Sequence, residues 1–259
     1  MTSSVPGEFV RQLSAALEEA DMLMRQQISN GAEWVSRFRA TLDSFVDSPV
    51  TATLHNKPTA TANAWLRDAL ASLDGSTEFV SAVQAAANAA NWYQIYNVDA
   101  AESGAMRSNM HALAEGMFAA QVIGPRGLIP SKKLLTGLFL LRAGLHYPLH
   151  QHEATEIYFC ASGKLRIQHG IDTPPQQLIP GQFSLTPSNR LHSLTMGDAP
   201  VLLLYIWLGE FGGKNWWWHK DDNGVWQREA WERQPDAVWA KTITEVVPYS
   251  ELILANKGK

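Results

Sequence analysis

Three side chains that commonly bind metal ions stand close together near the middle of the 259-residue chain. His150 and His152 are separated by one residue, and Glu156 follows four positions later. Residues two apart in a β-strand point to the same face, so the two imidazoles share a face if this segment is extended. A short connection to the next strand would bring Glu156 to the same point. Two imidazoles and a carboxylate that converge inside a protein suit a divalent transition metal.

A fourth ligand is expected from a more distant strand. His192 follows a Pro-Ser-Asn-Arg turn and lies in a segment that we predict to be a strand. Several potential ligands on one interior face would be costly to bury without a metal. The sequence therefore predicts one divalent transition metal per chain, held by His150, His152, Glu156 and His192. These ligand types do not distinguish iron, zinc, manganese and nickel. Cys160, on the same predicted strand as Glu156, is interpreted as a small buried core residue.

Short strands are predicted around these ligands. Apolar runs begin at Leu134, Glu156, Lys164, Gln182 and Val201, and turn residues such as Ser-Gly, Pro-Pro and Pro-Gly separate them. Many short strands at this spacing predict a sandwich or barrel rather than a parallel sheet with intervening helices. Residues 129–259 are therefore predicted to form a β-barrel with a Trp-rich C-terminal tail. That tail, which includes Trp216–Trp218, is predicted to be irregular or helical and to fold over the barrel.

Residues 1–128 are predicted to form an α-helical N-terminal region. Apolar residues recur at helical spacing after Phe9, and Ser76 is a candidate N-cap for a later helix. The further helices are expected near residues 32–45, 60–73, 78–90 and 103–120. This region is compatible with an interaction surface, which would include a homodimer, or with an extension packed on the barrel. No residue set in it suggests chemistry.

The overall composition limits the classes of partner. The net charge is −4 and the pI is about 6.1, which argues against a nucleic-acid partner and an anionic membrane surface. No apolar run approaches the roughly 18 residues of a membrane span. The N-terminus shows no basic patch followed by an apolar stretch, and the single cysteine excludes an internal disulfide. The sequence predicts a cytoplasmic protein that acts on a small molecule.

The ligand segment also resembles a known family. Its spacing His150-x-His152-x3-Glu156, followed by a glycine, a Pro-Gly turn and His192, resembles the two motifs of cupin proteins in order. With Tyr147 and Tyr158 included, it resembles the bacterial cupin-type dimethylsulfoniopropionate lyases. In that group one tyrosine stands five residues before the second histidine and another stands two after the glutamate. The resemblance covers about residues 134–208 and implies a mostly β cupin barrel (a double-stranded β-helix or jelly roll) with an N-terminal helical extension.

The resemblance implies a lyase that cleaves dimethylsulfoniopropionate to dimethyl sulfide and acrylate by β-elimination. The metal would bind the substrate carboxylate. Tyr158 is our first choice for the base, because an adjacent cation lowers the pKa of a tyrosine. Tyr147 is the second choice, or a residue that orients the substrate. Trp207, which matches a tryptophan typical of the strand after the last histidine, and Tyr205 would face the sulfonium through cation–π contacts.

Two other functions stay open at this point. One is another cupin metalloenzyme, a dioxygenase or an isomerase that acts on a small carboxylate, because the same ligands can serve oxygen chemistry. The other is a non-enzymatic cupin that binds a sugar or an effector. Oxygen chemistry has no evident need for two phenols beside the ligands, so Tyr147 and Tyr158 favour the lyase.

Overall fold

Two seven-stranded β-sheets form the body of the protein in the computed structural model, which describes residues 4–23, 30–51, 58–97, 106–235 and 238–258. In spatial order the first sheet contains β1 (Asp21–Leu23), β9 (Gln182–Thr186), β6 (Thr155–Ser162), β11 (Val201–Leu208), β4 (Leu135–Leu141), β3 (Met117–Ile123) and β2 (Trp92–Gln94). The second contains β14 (Trp239–Val246), β13 (Trp226–Arg233), β12 (Asn215–Lys220), β5 (His146–Gln151), β10 (His192–Met196), β7 (Leu165–His169) and β8 (Gln176–Leu178). The mostly β fold predicted from the sequence is confirmed.

Strand β11 shows how the two sides of the first sheet differ. Its alternate residues Leu202 and Leu204 join an outer hydrophobic cluster, whereas Leu203 and Tyr205 join the interior cluster between the sheets. Because side chains alternate along a strand, one apolar strand serves both clusters. The apolar runs predicted as strands near Leu134, Glu156, Lys164, Gln182 and Val201 all form strands, in β4, β6, β7, β9 and β11.

Helices cover the outer face of the first sheet. They are α1 (Val5–Glu19), α2 (Gly31–Asp43), α3 (Ala60–Ala71) and α4 (Thr77–Ala89). Helix α5 (Arg107–Gly116) instead contributes Met110 and Leu113 to the interior cluster, and α6 (Tyr249–Lys257) lies near the end of the chain. The Ser76 side chain caps α4 by accepting a hydrogen bond from the Phe79 backbone N–H at 3.1 Å, as predicted. Phe79 packs on Phe159 of β6 with ring centroids 5.5 Å apart. None of the described helices is long and apolar enough to cross a membrane.

The helix predicted over residues 103–120 is shorter than expected. Residues 103–105 lie outside the described part of the chain, and α5 ends at Gly116. Residues Met117–Ile123 form strand β3, and all seven are buried. A fully buried strand has no alternation of polar and apolar residues, so its sequence does not differ from that of a buried helix end. Strands β2 and β3 thus join the sheet although they lie in the region predicted to be helical.

The prediction for the Trp-rich tail was wrong. Residues Trp216–Trp218 lie in β12, which pairs with β5 on one side and with β13 on the other. Trp217 is fully buried, and Trp218 is 2% exposed. Aromatic residues favour pleated, half-buried surfaces, and here they extend the second sheet instead of forming an irregular cover.

Strands β3 and β4 approach closely at Gly137, which generates a first prediction. A Cβ atom on Gly137 would collide with the backbone carbonyl oxygen of Ala120, whereas a Cβ atom on Gly212 would meet no atom within 4 Å. Gly137→Ala should lower the free energy of unfolding by about 1–3 kcal/mol, as overpacking does. The matched variant Gly212→Ala should stay within about 0.5 kcal/mol of the parent. Urea unfolding measures both, and equal stability of the two variants would contradict the close approach.

Candidate metal centre

Four side chains from three strands and one connection meet between the two sheets. His150 belongs to β5, and His152 follows directly after that strand. His192 belongs to the neighbouring strand β10, where its Cα atom is the partner of that of His150. Glu156 comes from β6 in the opposite sheet. The structure therefore brings together the four residues that the sequence nominated as ligands.

The polar atoms of these side chains are close together and buried. One ligand atom of each histidine lies within 4.8 Å of those of the other two. The Glu156 Oε2 atom is 3.4 Å from His152 Nε2 and 3.4 Å from His192 Nε2. None of the four residues is more than 5% exposed. A group of this kind can hold one ion at its centre.

The backbone fixes the tautomer of all three imidazoles. Each Nδ1 atom lies against a backbone carbonyl oxygen two residues away: Pro148 for His150 (2.8 Å), Ala154 for His152 (3.1 Å) and Arg190 for His192 (3.1 Å). A carbonyl oxygen can only accept, so each Nδ1 carries the proton and each Nε2 presents a lone pair. Within the described ranges, the three Nε2 atoms and Glu156 Oε2 are buried without a hydrogen-bond partner. Such atoms are costly to bury, and a cation would satisfy all four at once.

The protonation states suit a metal. Burial alone would raise the pKa of Glu156, but the adjacent His152 and His192 imidazoles lower it to about 2. Burial lowers the pKa of His150 well below its usual value, and the neighbouring imidazoles lower it further. Burial also lowers the pKa of His192. The site thus holds an ionised Glu156 carboxylate and neutral imidazoles at His150 and His192 at neutral pH, the forms that bind divalent transition metals.

Aromatic rings pack against the candidate ligands. The Trp207 ring stacks on His152 with centroids 4.3 Å apart, and its indole N–H donates a short hydrogen bond to Glu156 Oε1. The Tyr147 ring stacks on His150 with centroids 3.8 Å apart and planes at 14°. Partners outside the ligand shell that orient the ligands tune a metal site. Trp207 and Tyr147, nominated as substrate-binding and catalytic residues, both contact the candidate ligands.

The three tyrosines nominated from the sequence all line the same interior. Tyr158 is 3% exposed, and its ring centroid is 6.5 Å from that of His192. Burial raises the pKa of Tyr158 well above its usual value, and the negative charge of Glu156 raises it further. Burial likewise raises the pKa of Tyr147 and of Tyr205. In the protein alone, these phenols are therefore protonated at neutral pH.

A cavity of about 360 Å³ opens beside the ligands, and part of its wall was missed by the sequence analysis. Glu156, Tyr158, Tyr205 and Trp207 line it, as expected of site residues. Tyr93, Ile95 and Tyr96 of the N-terminal region also line it, although no chemistry was predicted there. The Tyr96 hydroxyl lies 2.8 Å from the Tyr147 hydroxyl. The only local signal is the aromatic-rich run Trp-Tyr-Gln-Ile-Tyr at residues 92–96.

Two known proteins are similar to part of this chain. Over 90 residues the chain is 37% identical to the dimethylsulfoniopropionate lyase DddQ of Ruegeria pomeroyi, which covers 34% of this chain and 44% of that protein. It is 31% identical over 100 residues to the putative dimethylsulfoniopropionate lyase DddL of Cereibacter sphaeroides, covering 38% of this chain and 41% of that protein. The matched segments thus span less than half the length of either relative.

A solved structure supports the fold. It is described as belonging to the dimethylsulfoniopropionate lyases RdDddP and RnDddQII, and it superposes with a TM-score of 0.51 at 19% identity. The superposition covers 79% of this chain and 92% of the other. The cupin barrel with N-terminal helices is therefore confirmed. The family model for dimethylsulfoniopropionate lyases matches residues 34–203, more than half of the chain, and the protein belongs to this family of cupin-type lyases.

Proposed function

We propose that the protein is a metal-dependent carbon–sulfur lyase that cleaves dimethylsulfoniopropionate into dimethyl sulfide and acrylate. The observation that carries this proposal is the set of four buried, unpartnered ligand atoms beside a cavity lined with tyrosines. Family membership points to the same substrate. A β-elimination at a carboxylate substrate needs a cation near the carboxylate and a base near the adjacent carbon.

The metal would be held by His150, His152, His192 and Glu156, one ion per chain. When bound, a divalent cation would supply positive charge for the substrate carboxylate and for the negative charge that develops as the proton leaves. The three imidazoles need no change of tautomer, because their Nδ1 atoms already donate to backbone carbonyl oxygens. Glu156 is already ionised, since its pKa is about 2. The protein thus presents its ligands in the protonation states that binding requires.

Tyr158 is the proposed base. Its hydroxyl oxygen, as a phenolate, would take the proton from the carbon next to the carboxylate. The electron pair of that C–H bond forms the double bond of acrylate, the C–S bond breaks, and neutral dimethyl sulfide leaves with the bonding pair. Burial raises the pKa of Tyr158, so a phenolate there depends on nearby positive charge. The proposed base would therefore depend on the cation that the candidate ligands would hold.

Tyr147 is proposed to orient the substrate, with Tyr158 remaining the first choice for the base. Its hydroxyl is 2.8 Å from that of Tyr96, and its ring lies against His150. The Tyr147 ring is therefore held at its hydroxyl group and at one face. A fixed phenol beside the ligands can position a bound carboxylate by hydrogen bonding.

The sulfonium is proposed to face Trp207 and Tyr205. Both residues line the cavity, and the Trp207 side chain is partly buried. One face of the Trp207 ring is covered by His152, so only its other face is left for a cationic group. An aromatic face contributes about 0.5–2 kcal/mol to the binding of a cation.

Metal binding provides the first test of this proposal. His152→Ala and His192→Ala each remove a ligand atom, so each should lower the metal content from about one ion per chain to a small fraction of that. His146→Ala is the matched control, because His146 lies on β5 but bonds to the Thr195 hydroxyl at 2.9 Å. Metal analysis of the purified proteins by mass spectrometry measures the content. Full occupancy in both ligand variants would exclude this site.

The activity itself is tested with the proposed substrate. Protein reconstituted separately with iron, manganese, zinc or nickel is mixed with dimethylsulfoniopropionate, and dimethyl sulfide is measured in the headspace. We expect release of dimethyl sulfide and an equal amount of acrylate with at least one metal, and none from His152→Ala. Negligible release with all four metals would contradict the lyase and favour another cupin metalloenzyme acting on a small carboxylate.

The base is tested by removing one hydroxyl group. Tyr158→Phe should retain the metal but lower kcat by about 10²–10⁴-fold, the range expected for loss of a general base. Tyr249→Phe is the matched control, because Tyr249 is 78% exposed. Steady-state rates and metal content are measured on the same preparations. A near-normal kcat in Tyr158→Phe would remove Tyr158 as the base, and Tyr147→Phe would then be the variant to measure.

A further inference from the structure

Two arginine side chains line the same cavity as the candidate metal ligands. Arg126 follows β3, and Arg233 is the last residue of β13, so they come from distant parts of the sequence. Both are exposed, whereas Glu156 in the same wall is buried. The arginines therefore mark the mouth of the cavity, and the candidate ligands mark its inner end.

The loop after β3 holds Arg126 in a defined position. The Gly124 N–H donates to the Ile129 carbonyl oxygen at 3.0 Å, and the Gly124 carbonyl oxygen accepts from a later residue of the turn. Gly124 has φ +143, a conformation that favours glycine. The Arg126 backbone N–H donates to Gln121 Oε1 at 2.9 Å, and Gln121 Nε2 donates to the Tyr93 hydroxyl at 2.9 Å. The Arg126 guanidinium lies over the Tyr93 ring, 3.8 Å from its centroid.

Arg233 lines the same cavity as Arg126 and Tyr93. Burial lowers the pKa of Arg233, and the positive charge of Arg126 lowers it further, whereas Tyr93 raises it. Two like charges therefore lie in the wall of one cavity, where they repel each other. Such an arrangement is relieved when an anion binds between or beside the two cations.

The carboxylates in the cavity wall are engaged elsewhere. Glu232, next to Arg233 in sequence, accepts a hydrogen bond from the Thr242 hydroxyl at 2.7 Å and lies 3.3 Å from Lys214 Nζ. Glu156 faces His152 and His192. Across residues 106–235 and the other described ranges, neither arginine forms an ion pair with a carboxylate. No carboxylate of the described residues therefore neutralises their charge at the mouth.

We propose that Arg126 and Arg233 form a second carboxylate site at the mouth of the cavity, separate from the metal ligands. A guanidinium donates two parallel hydrogen bonds to a carboxylate, and two guanidinium groups on one face of the cavity can share one such anion. Insofar as the proposed function is correct, the carboxylates that pass this point are those of the entering substrate and of the acrylate product. Dimethyl sulfide is neutral, so after the elimination the site attracts only acrylate.

The experiment measures binding of acrylate in the absence of a bound metal. Full-length His152→Ala protein, which should lack the metal, is titrated with acrylate and followed by ligand-observed NMR. We expect millimolar binding that weakens about tenfold or more when Arg126→Gln and Arg233→Gln are added, since hydrogen bonds to charged groups are lost. Arg166→Gln, an exposed arginine on β7 with the same change of charge, is the matched control and should leave the affinity unchanged.

A second variant distinguishes the loss of the guanidinium hydrogen bonds from a change of structure at Tyr93. Arg126→Lys retains a cation but not the two-pronged guanidinium, and it should give an affinity between those of the parent and the Gln variant. No millimolar binding of acrylate to His152→Ala, or binding that the two Gln substitutions change by less than twofold, would overturn the proposal.

Steady-state kinetics of the metal-loaded enzyme then show whether the substrate carboxylate or only the acrylate product binds at the arginine site. If the substrate carboxylate binds there, the two Gln substitutions raise both KM and the inhibition constant of acrylate. If only the product binds there, they raise the inhibition constant alone. Should the protein release no dimethyl sulfide at all, the proposed function fails, but the binding of acrylate to His152→Ala still decides the arginine site.

Discussion

Three imidazole lone pairs and a carboxylate oxygen point at one another inside the barrel, and the rest of the structure depends on keeping them there. His150 and His192 are direct partners on adjacent strands, while Glu156 reaches across from the opposite sheet. A shift of one residue in the pairing of β5 and β10 would turn one imidazole to the other face and remove it from the group. The register of the second sheet and the distance between the sheets are therefore both constrained by this one cluster.

The surrounding residues make that cluster rigid rather than merely buried. Trp217 on β12 is the Cα partner of His150, and its ring stacks on the same imidazole with centroids 5.3 Å apart. Tyr147 covers His150 as well, and Trp207 covers His152 while bonding to Glu156. Fixed ligands need little reorganisation when an ion or a substrate arrives, which is how a site supplies electrostatic stabilisation at low cost. Trp217 of the C-terminal tail thus belongs to the architecture of the site.

The sequence could place His150 and His152 on one face because their relation is local. Two histidines at strand spacing must share a face, and the apolar run at Val201–Leu208 could be recognised as a strand from its own composition. Strand β12 and the wall residue Tyr96 could not be found in this way. Their roles arise from pairing with segments far away in the chain, and no local period encodes which distant strand a segment will join.

The mouth of the cavity, more than its inner end, depends on contacts between segments that are distant in the sequence. Trp239 on β14 joins the cavity wall to the N-terminal region, because its backbone N–H donates to the Asn97 carbonyl oxygen at 2.7 Å and its indole N–H to that of Ile95 at 2.9 Å. Trp239 and Arg233 both lie beyond residues 34–203, where the family model matches. The four candidate ligands lie within that range, so the family model covers all of them but only part of the mouth. Under the proposed function, selection among small carboxylates would depend on the mouth, where segments distant in sequence supply the aromatic rings and the two guanidinium groups.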